Sequence, residues 1–315
     1  MILPLPGSTC HAVIRSFAPI RCSSAARPNP DSAARLWPPL ACFVEAEERL
    51  GRRFEARGAF AAALYEFLRF GVKQAWACLF GGLMVALLIG THFLYPKGAA
   101  LARYDFLVIA AVAIQAALLV FRLETFEEAK VILLFHLVGT AMEVFKTAVG
   151  SWIYPEPSLL RIGGVPLFTG FMYAAVGSYI ARVWRLFDFR FARHPPLWAT
   201  ALLAAGIYAN FFAHHYGPDL RLGLFALAAL LFGRTWISYK PWRRRRAMPL
   251  LLACFLNSLF IWIAENVGTF TGAWLYPNQL KGWAFVGIGK LGSWFLLLVI
   301  SYVMVCWVNE PEELC

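Results

Sequence analysis

Eight apolar segments dominate this chain, each near the ~20 residues a helix needs to cross the hydrocarbon of a bilayer. They fall at about 73–95, 104–122, 129–150, 163–184, 196–214, 219–239, 247–268 and 283–308. Hydrophobic types make up 60% of the 315 residues and charged types 15%. A soluble domain runs nearer half apolar and a quarter charged. So much apolar surface cannot be hidden in a water-soluble core and must face lipid, where only self-paired backbone is tolerated. The expected fold is all-α: a polytopic membrane protein. That excludes a soluble enzyme, a nucleic-acid reader and a secreted disulfide scaffold. None of the seven cysteines sits in a CxxC pair, so neither a disulfide framework nor a structural zinc is expected.

The flanks differ in character. Residues 1–44 are rich in Pro, Ser, Ala and Arg, and hold no apolar run long enough for a signal peptide. They read as disordered, or as a product of start-codon choice. Residues 45–72 are charged and then amphipathic, which suggests a helix lying on the membrane surface. Residues 309–315 form a short tail.

The net charge of +11 has a membrane explanation. Arg and Lys collect in alternate loops: Arg122 and Lys130, then Arg185, Arg190 and Arg193, then Lys240 and Arg243 to Arg246, with Arg49, Arg52, Arg53, Arg57 and Arg69 before the first span. The positive-inside rule puts these loops and both termini in the cytoplasm, and an even span count agrees.

The most informative pattern is a duplication. Glu143, Thr147, Gly150, Trp152, Tyr154 and Pro155 recur, shifted by 122, as Glu265, Thr269, Gly272, Trp274, Tyr276 and Pro277. The same shift pairs His92 with His214 and Pro96 with Pro218, and a shift of 123 pairs Ser178, Tyr179 and Trp184 with Ser301, Tyr302 and Trp307. This implies two four-helix repeats, residues 73–184 and 196–308. An even number of spans in each makes them parallel, related by an axis along the membrane normal, with a ligand site between them.

Ionisable residues within spans are costly, so each needs a partner or a function. Glu143, Glu265 and Lys290 lie within spans, while His92, His214, His215 and Asp219 end or open them at the same depth. His136 lies deeper, seven residues before Glu143 on the same helix face. Three readings compete. The first is a network of ion pairs, Glu265 with Lys290 and Glu143 with Lys146, that only holds helices together. The second makes the two glutamates an acid and a base across a pocket. The third is a metal site, but no HxxxH or ExxH spacing supports one, and no metal is assigned. The Trp and Tyr residues fit an interfacial belt, and Gly with Pro fits a helix end, yet neither explains an identical spacing from a glutamate twice.

At these residues the sequence resembles a known family. The stretches 135–179 and 208–307, including "AENVGTFTGAWLYPNQ" and "NFFAHHYGPDLR", resemble the YoaT-like family of uncharacterised bacterial integral membrane proteins. That resemblance covers roughly residues 55–308, implies a multi-pass protein of the bacterial inner membrane, and carries no activity with it. More locally, Glu143 followed by "GSWIYPEPSLLRIGGVPL" is similar to a motif of membrane-bound carotenoid hydratases and heterodimer-type lycopene cyclases, although the hydratase pattern has Phe-Gly before its tyrosines. That similarity implies a lipophilic, isoprenoid-like substrate.

The functional expectation is a membrane enzyme that protonates, hydrates or isomerises a double bond in such a substrate. Glu143 and Glu265 are its acid and base, and Lys290 and His214 tune them. Trp152, Tyr154, Trp274, Tyr276 and Asn266 shape the pocket, the rings stabilising developing cation. The alternatives are a proton- or ion-coupled transporter of a small solute, with breaks at Pro96, Pro166 and Pro218, and a ligand-free structural protein. Partners are the lipid bilayer and a lipophilic small molecule, not nucleic acid. The sequence assigns no cofactor and no oligomeric state.

Overall fold

The computed structural model describes residues 38–314. The reading of residues 1–44 as disordered therefore lies outside the described residues up to 37. From Pro38 onward the chain is helical: α1 spans Pro38–Ala56 and α2 Ala59–Ala77. The surface segment expected at 45–72 is thus not one helix. Gly58, with φ of +110°, separates two, and the second runs on into what was expected as the first span.

Helices then form on each of the eight apolar segments. They are α3 (Leu79–Leu94), α4 (Arg103–Val120), α5 (Phe126–Ala148), α6 (Phe168–Leu186), α7 (Leu197–Ala213), α8 (Arg221–Phe232), α9 (Leu250–Phe270) and α10 (Gly289–Val308). By length and composition, α4, α5, α9 and α10 can cross a membrane, and α2 with α3 makes a fifth span if the pair, bent by 66°, is counted as one. The chain is accordingly a multi-pass membrane protein. The remaining helices fall short of spanning by these measures for identifiable reasons. α6 carries Arg182 and Arg185. α7 and α8 have 17 and 12 residues, which at about 1.5 Å per residue rise less than the ~30 Å hydrocarbon layer. The segment expected as a span over 219–239 ends as helix at Phe232. After Gly233 it becomes a strand.

That strand, β4 (Trp236–Tyr239), is the centre of a small antiparallel sheet between β3 (Arg190–Ala192) and β5 (Arg246–Pro249). Its register pairs Ile237 with Phe191 and with Met248. The tail adds to the sheet edge: Phe191 N–H donates to Glu312 O at 2.9 Å and Leu314 N–H to Phe191 O at 2.7 Å. At the other end of the helices, a two-strand hairpin, Arg161–Ile162 with Val165–Pro166, precedes α6.

The core lies where α6 and α10 meet their neighbours, α3 and α5 on one side and α7 and α9 on the other. α5 and α6 approach closely because small residues line their contact. A Cβ on Gly177 would stand 2.7 Å from the Phe135 ring, and one on Gly139 would stand 2.6 Å from Tyr173. Such small-residue seams are how helices pack when lipid offers no hydrophobic drive. One ion pair is wholly enclosed: Arg182 Nη2 lies 3.1 Å from Glu124 Oε1, both side chains with no exposure. Ser178 also donates to Glu124 at 3.2 Å. Nearby, Arg185 holds Glu128 at 3.0 Å. Glu128 closes a capping box with Thr125 that starts α5. Apolar side chains on the outside remain uncovered, as lipid contact requires: Leu222 is 83% and Leu230 80% exposed.

Candidate functional site

The two copies of the glutamate motif fold alike. Each glutamate sits in the last turns of its helix, α5 or α9. Each helix then ends in a left-handed glycine, Gly150 at φ +72° and Gly272 at φ +67°. The closing hydrogen bonds also match. Ser151 N–H reaches Lys146 O and Gly150 N–H reaches Thr147 O, while Ala273 N–H reaches Gly268 O and Gly272 N–H reaches Thr269 O. This is the Schellman arrangement, which needs a residue without a Cβ penalty at that position. It turns the chain back so that the Trp and Tyr that follow face the glutamate.

The consequence is a clasp. Trp152 Nε1 donates to Glu143 Oε2 at 2.6 Å, Tyr154 OH donates to the same oxygen, and Tyr173 OH donates to Oε1 at 2.5 Å. In the second copy Trp274 Nε1 and Tyr276 OH donate to Glu265 Oε1 at 3.1 and 2.5 Å. Both glutamates are buried. Desolvation by burial, reinforced by the adjacent carboxylates, holds the Tyr154 and Tyr276 phenols well above their ordinary range, so they remain donors. The two clasps touch. Ile153 and Leu275, which the 122-residue shift makes equivalent, exchange backbone hydrogen bonds of 2.9 and 3.0 Å, and the Trp152 and Tyr276 rings meet edge to face at 6.0 Å.

Both clasps open onto one cavity of about 1330 Å³. It runs from the glutamates between α5, α6, α7, α9 and α10 towards Tyr179 and Tyr302, and its lining is mostly apolar. Expected site residues on its wall are Glu143, Glu265, Lys290, His214, Trp152, Tyr154, Trp274 and Tyr276. Asn266 is not among them. Its Nδ2 donates to Trp262 O and its Oδ1 accepts from Val286 N–H, both at 2.8 Å, so it fixes the loop leading to α10. His92 also lies apart, its Nδ1 3.1 Å from Thr271 O. His136 packs on Phe171 with its Nδ1 buried and unpartnered.

The ion pairs expected of a purely structural network do not form. Lys146 Nζ turns from Glu143 to His215 Nε2 at 2.7 Å and lies 4.0 Å above the Phe211 ring. Lys290 Nζ lies 4.4 Å from the Tyr276 ring centre and 5.6 Å from that of Trp152. His214 Nδ1 lies 2.9 Å from Asn210 O, and its ring rests on His215. Among the described residues no cluster of three or more His, Cys, Asp or Glu side chains is arranged to hold a metal ion.

Two features escape sequence reading. Tyr173 lies outside the duplicated motif, and it reaches Glu143 only because Gly139 leaves room for its ring. Gly268 stands where the first copy has Lys146. A Cβ there would meet the Trp274 ring at 2.2 Å, so Trp274 lies flat on the α9 backbone.

Comparison with known proteins agrees with the resemblance read from residues 135–179 and 208–307. An uncharacterised protein of Bacillus subtilis (strain 168), YoaT, is 43% identical over 251 residues, covering 80% of this chain and 94% of that one. Among solved structures, a mycobacterial Insig homolog, MvINS from Mycobacterium vanbaalenii, aligns with a TM-score of 0.45 at 12% identity, over 60% of this chain and 98% of that one. A cross-linked trimer of MvINS aligns with a TM-score of 0.44, at the same identity and coverage. Residues 66–302 match the family described as "Protein of unknown function (DUF817)", and the chain belongs to that family.

Proposed function

We propose that this protein is an intramembrane acid–base enzyme acting on a lipophilic, isoprenoid-like substrate. The observation that carries the reading is the facing pair of buried carboxylates, each clasped by indole and phenol donors, at the head of a large apolar cavity. In hydration, one glutamate in its acid form gives its proton to an alkene carbon, and the π pair becomes the new C–H bond. A water oxygen attacks the resulting carbocation, and the other carboxylate takes the released proton. Water and alkene are consumed and an alcohol forms. For isomerisation the second carboxylate removes a proton from the carbon next to the cation instead. The Trp and Tyr faces stabilise the cation, while Lys290 and His214 adjust the charge around the carboxylates. The local similarity to carotenoid hydratases supports the substrate class.

The same reading takes the chain as eight spans in two parallel repeats, 73–184 and 196–308, with both termini in the cytoplasm of a bacterial inner membrane. Matching helix ends and the reciprocal Ile153–Leu275 pairing support a two-fold relation between the copies. A transporter is the second reading, favoured by the bent α2–α3 pair. The prolines give it no support: Pro96, Pro166 and Pro218 lie outside α3, α6 and α8 rather than within a helix.

The test compares organic extracts of purified wild-type protein with those of a Glu143→Gln, Glu265→Gln variant by mass spectrometry. A lipophilic compound enriched in one form and altered in mass in the other is expected. With that compound as substrate, Glu265→Gln lowers turnover by about 10²–10⁴. A variant of full activity sinks the acid–base reading, and solute flux into sealed vesicles then decides for transport.

A further inference from the structure

Two lysines at the glutamate end of the cavity have no anion in direct contact among the described residues. Lys146 is 3% exposed, and among the described residues the only hydrogen-bond partner of its ammonium is His215. The Lys290 ammonium has ring faces and, among the described residues, no hydrogen-bond acceptor. Neither has a carboxylate within ion-pair reach among those residues. Other enclosed cations here are matched, as Arg182 is to Glu124 at 3.1 Å and Arg103 to Glu156 at 2.6 Å. An ammonium withdrawn from water without a counter-charge costs several kcal/mol. Glu265 acts on Lys290, and Asp219 and Glu143 act on Lys146, only through charge at longer range; Glu143 spends both oxygens on Trp and Tyr donors.

Three further observations converge. α10 begins at Gly289, on the cavity wall, with no acidic residue in its first turn. The Lys290 and Leu291 N–H groups are taken by Gly287 O and Ile288 O, so the helix contributes its dipole, which favours an anion. Arg221 lines the same region, close enough to act on the charges of both lysines. Desolvation and the Lys146 charge hold the His215 imidazole below its ordinary range, which leaves it neutral and able to accept from Lys146.

We propose that this end of the cavity binds the oxyanion headgroup of an amphiphile, of the phosphate-monoester kind, whose apolar tail runs into the cavity below. The proposal rests on the preceding section for the tail and names the substrate's polar end. A free anion would need only the lysines. The apolar depth of a ~1330 Å³ space exceeds the ~300–1,000 Å³ of ordinary ligand pockets and argues for a chain behind the headgroup.

The experiment uses the full chain in phosphatidylcholine nanodiscs, titrated with dodecyl phosphate, dodecanol or inorganic phosphate. Tryptophan fluorescence and thermal midpoint are read. Dodecyl phosphate is expected to bind saturably and raise the midpoint, with dodecanol and inorganic phosphate each at least about tenfold weaker. Lys146→Gln with Lys290→Gln weakens dodecyl phosphate by a similar factor, while Lys290→Arg alone retains binding. Should the double variant not fold, Lys290→Gln alone is measured. Unchanged affinity in the lysine variants, or dodecanol binding as tightly as its phosphate, overturns the headgroup site. Inorganic phosphate binding as tightly as dodecyl phosphate overturns the amphiphile. Glu143→Gln with Glu265→Gln is expected to keep this binding. A failure of acid–base chemistry therefore leaves the headgroup result standing, and the reverse holds too.

Discussion

Two pairs of buried carboxylates solve the same problem in different ways. Near the sheet, Glu124 and Glu128 are met by Arg182 and Arg185, a guanidinium for each. At the far ends of α5 and α9, Glu143 and Glu265 are met by neutral donors, among them the indoles of Trp152 and Trp274 and the phenols of Tyr154, Tyr173 and Tyr276. A guanidinium brings a full counter-charge to the carboxylate and leaves it little else to do. Phenol and indole donors hold the carboxylate in place without bringing a counter-charge. The first arrangement builds structure. The second, on the proposed acid–base reading, keeps a reactive group in position.

The sharpest break of this contrast is Arg182→Met. It leaves Glu124 enclosed without a cation and is expected to cost about 3–5 kcal/mol, read as loss of folded protein on size exclusion. Adding Glu124→Leu should recover much of that loss. Glu265→Gln, by comparison, should leave the folded fraction nearly unchanged, since the amide still accepts from Trp274 and Tyr276. If it unfolds the protein as Arg182→Met does, the two kinds of carboxylate are not different after all. Gly268→Val comes next. It pushes the Trp274 ring off the α9 backbone and is expected to cost about 1–3 kcal/mol, seen as a lower thermal midpoint and a shifted tryptophan emission. Smallest is Arg243→Ala, which removes an exposed pair with Glu55 at 2.5 Å and should change stability by about 0–1 kcal/mol.

The sequence carries the membrane class, the helical segments and the paired motifs because each is written locally: apolar length, Gly at a helix end, Trp and Tyr at fixed spacing. Bends and partners are not local. Nothing in the run 73–95 marks the turn at Cys78. Nothing in 219–239 says that strand pairing with Phe191 and Met248 will end the helix early. Lys146, one turn after Glu143, reads as its ion-pair partner. The Schellman turn at Gly150 instead brings Trp152 and Tyr154 to the carboxylate first and leaves the lysine to His215. Tyr173 and Asn266 show the same limit from opposite sides. The first is drawn to the glutamate by a glycine on another helix, and the second is taken away by the backbone of Val286.

On the proposed acid–base reading, the exchange of Lys146 for Gly268 between the two copies bears on regiochemistry. A cage with true two-fold symmetry offers a bound alkene two equivalent ways to lie, head to tail or tail to head, and either end of the double bond then meets the acid. With a lysine on one wall and a flat indole on the other, the two poses differ in energy. Under the proposed chemistry one carbon is then presented for attack and one product isomer results.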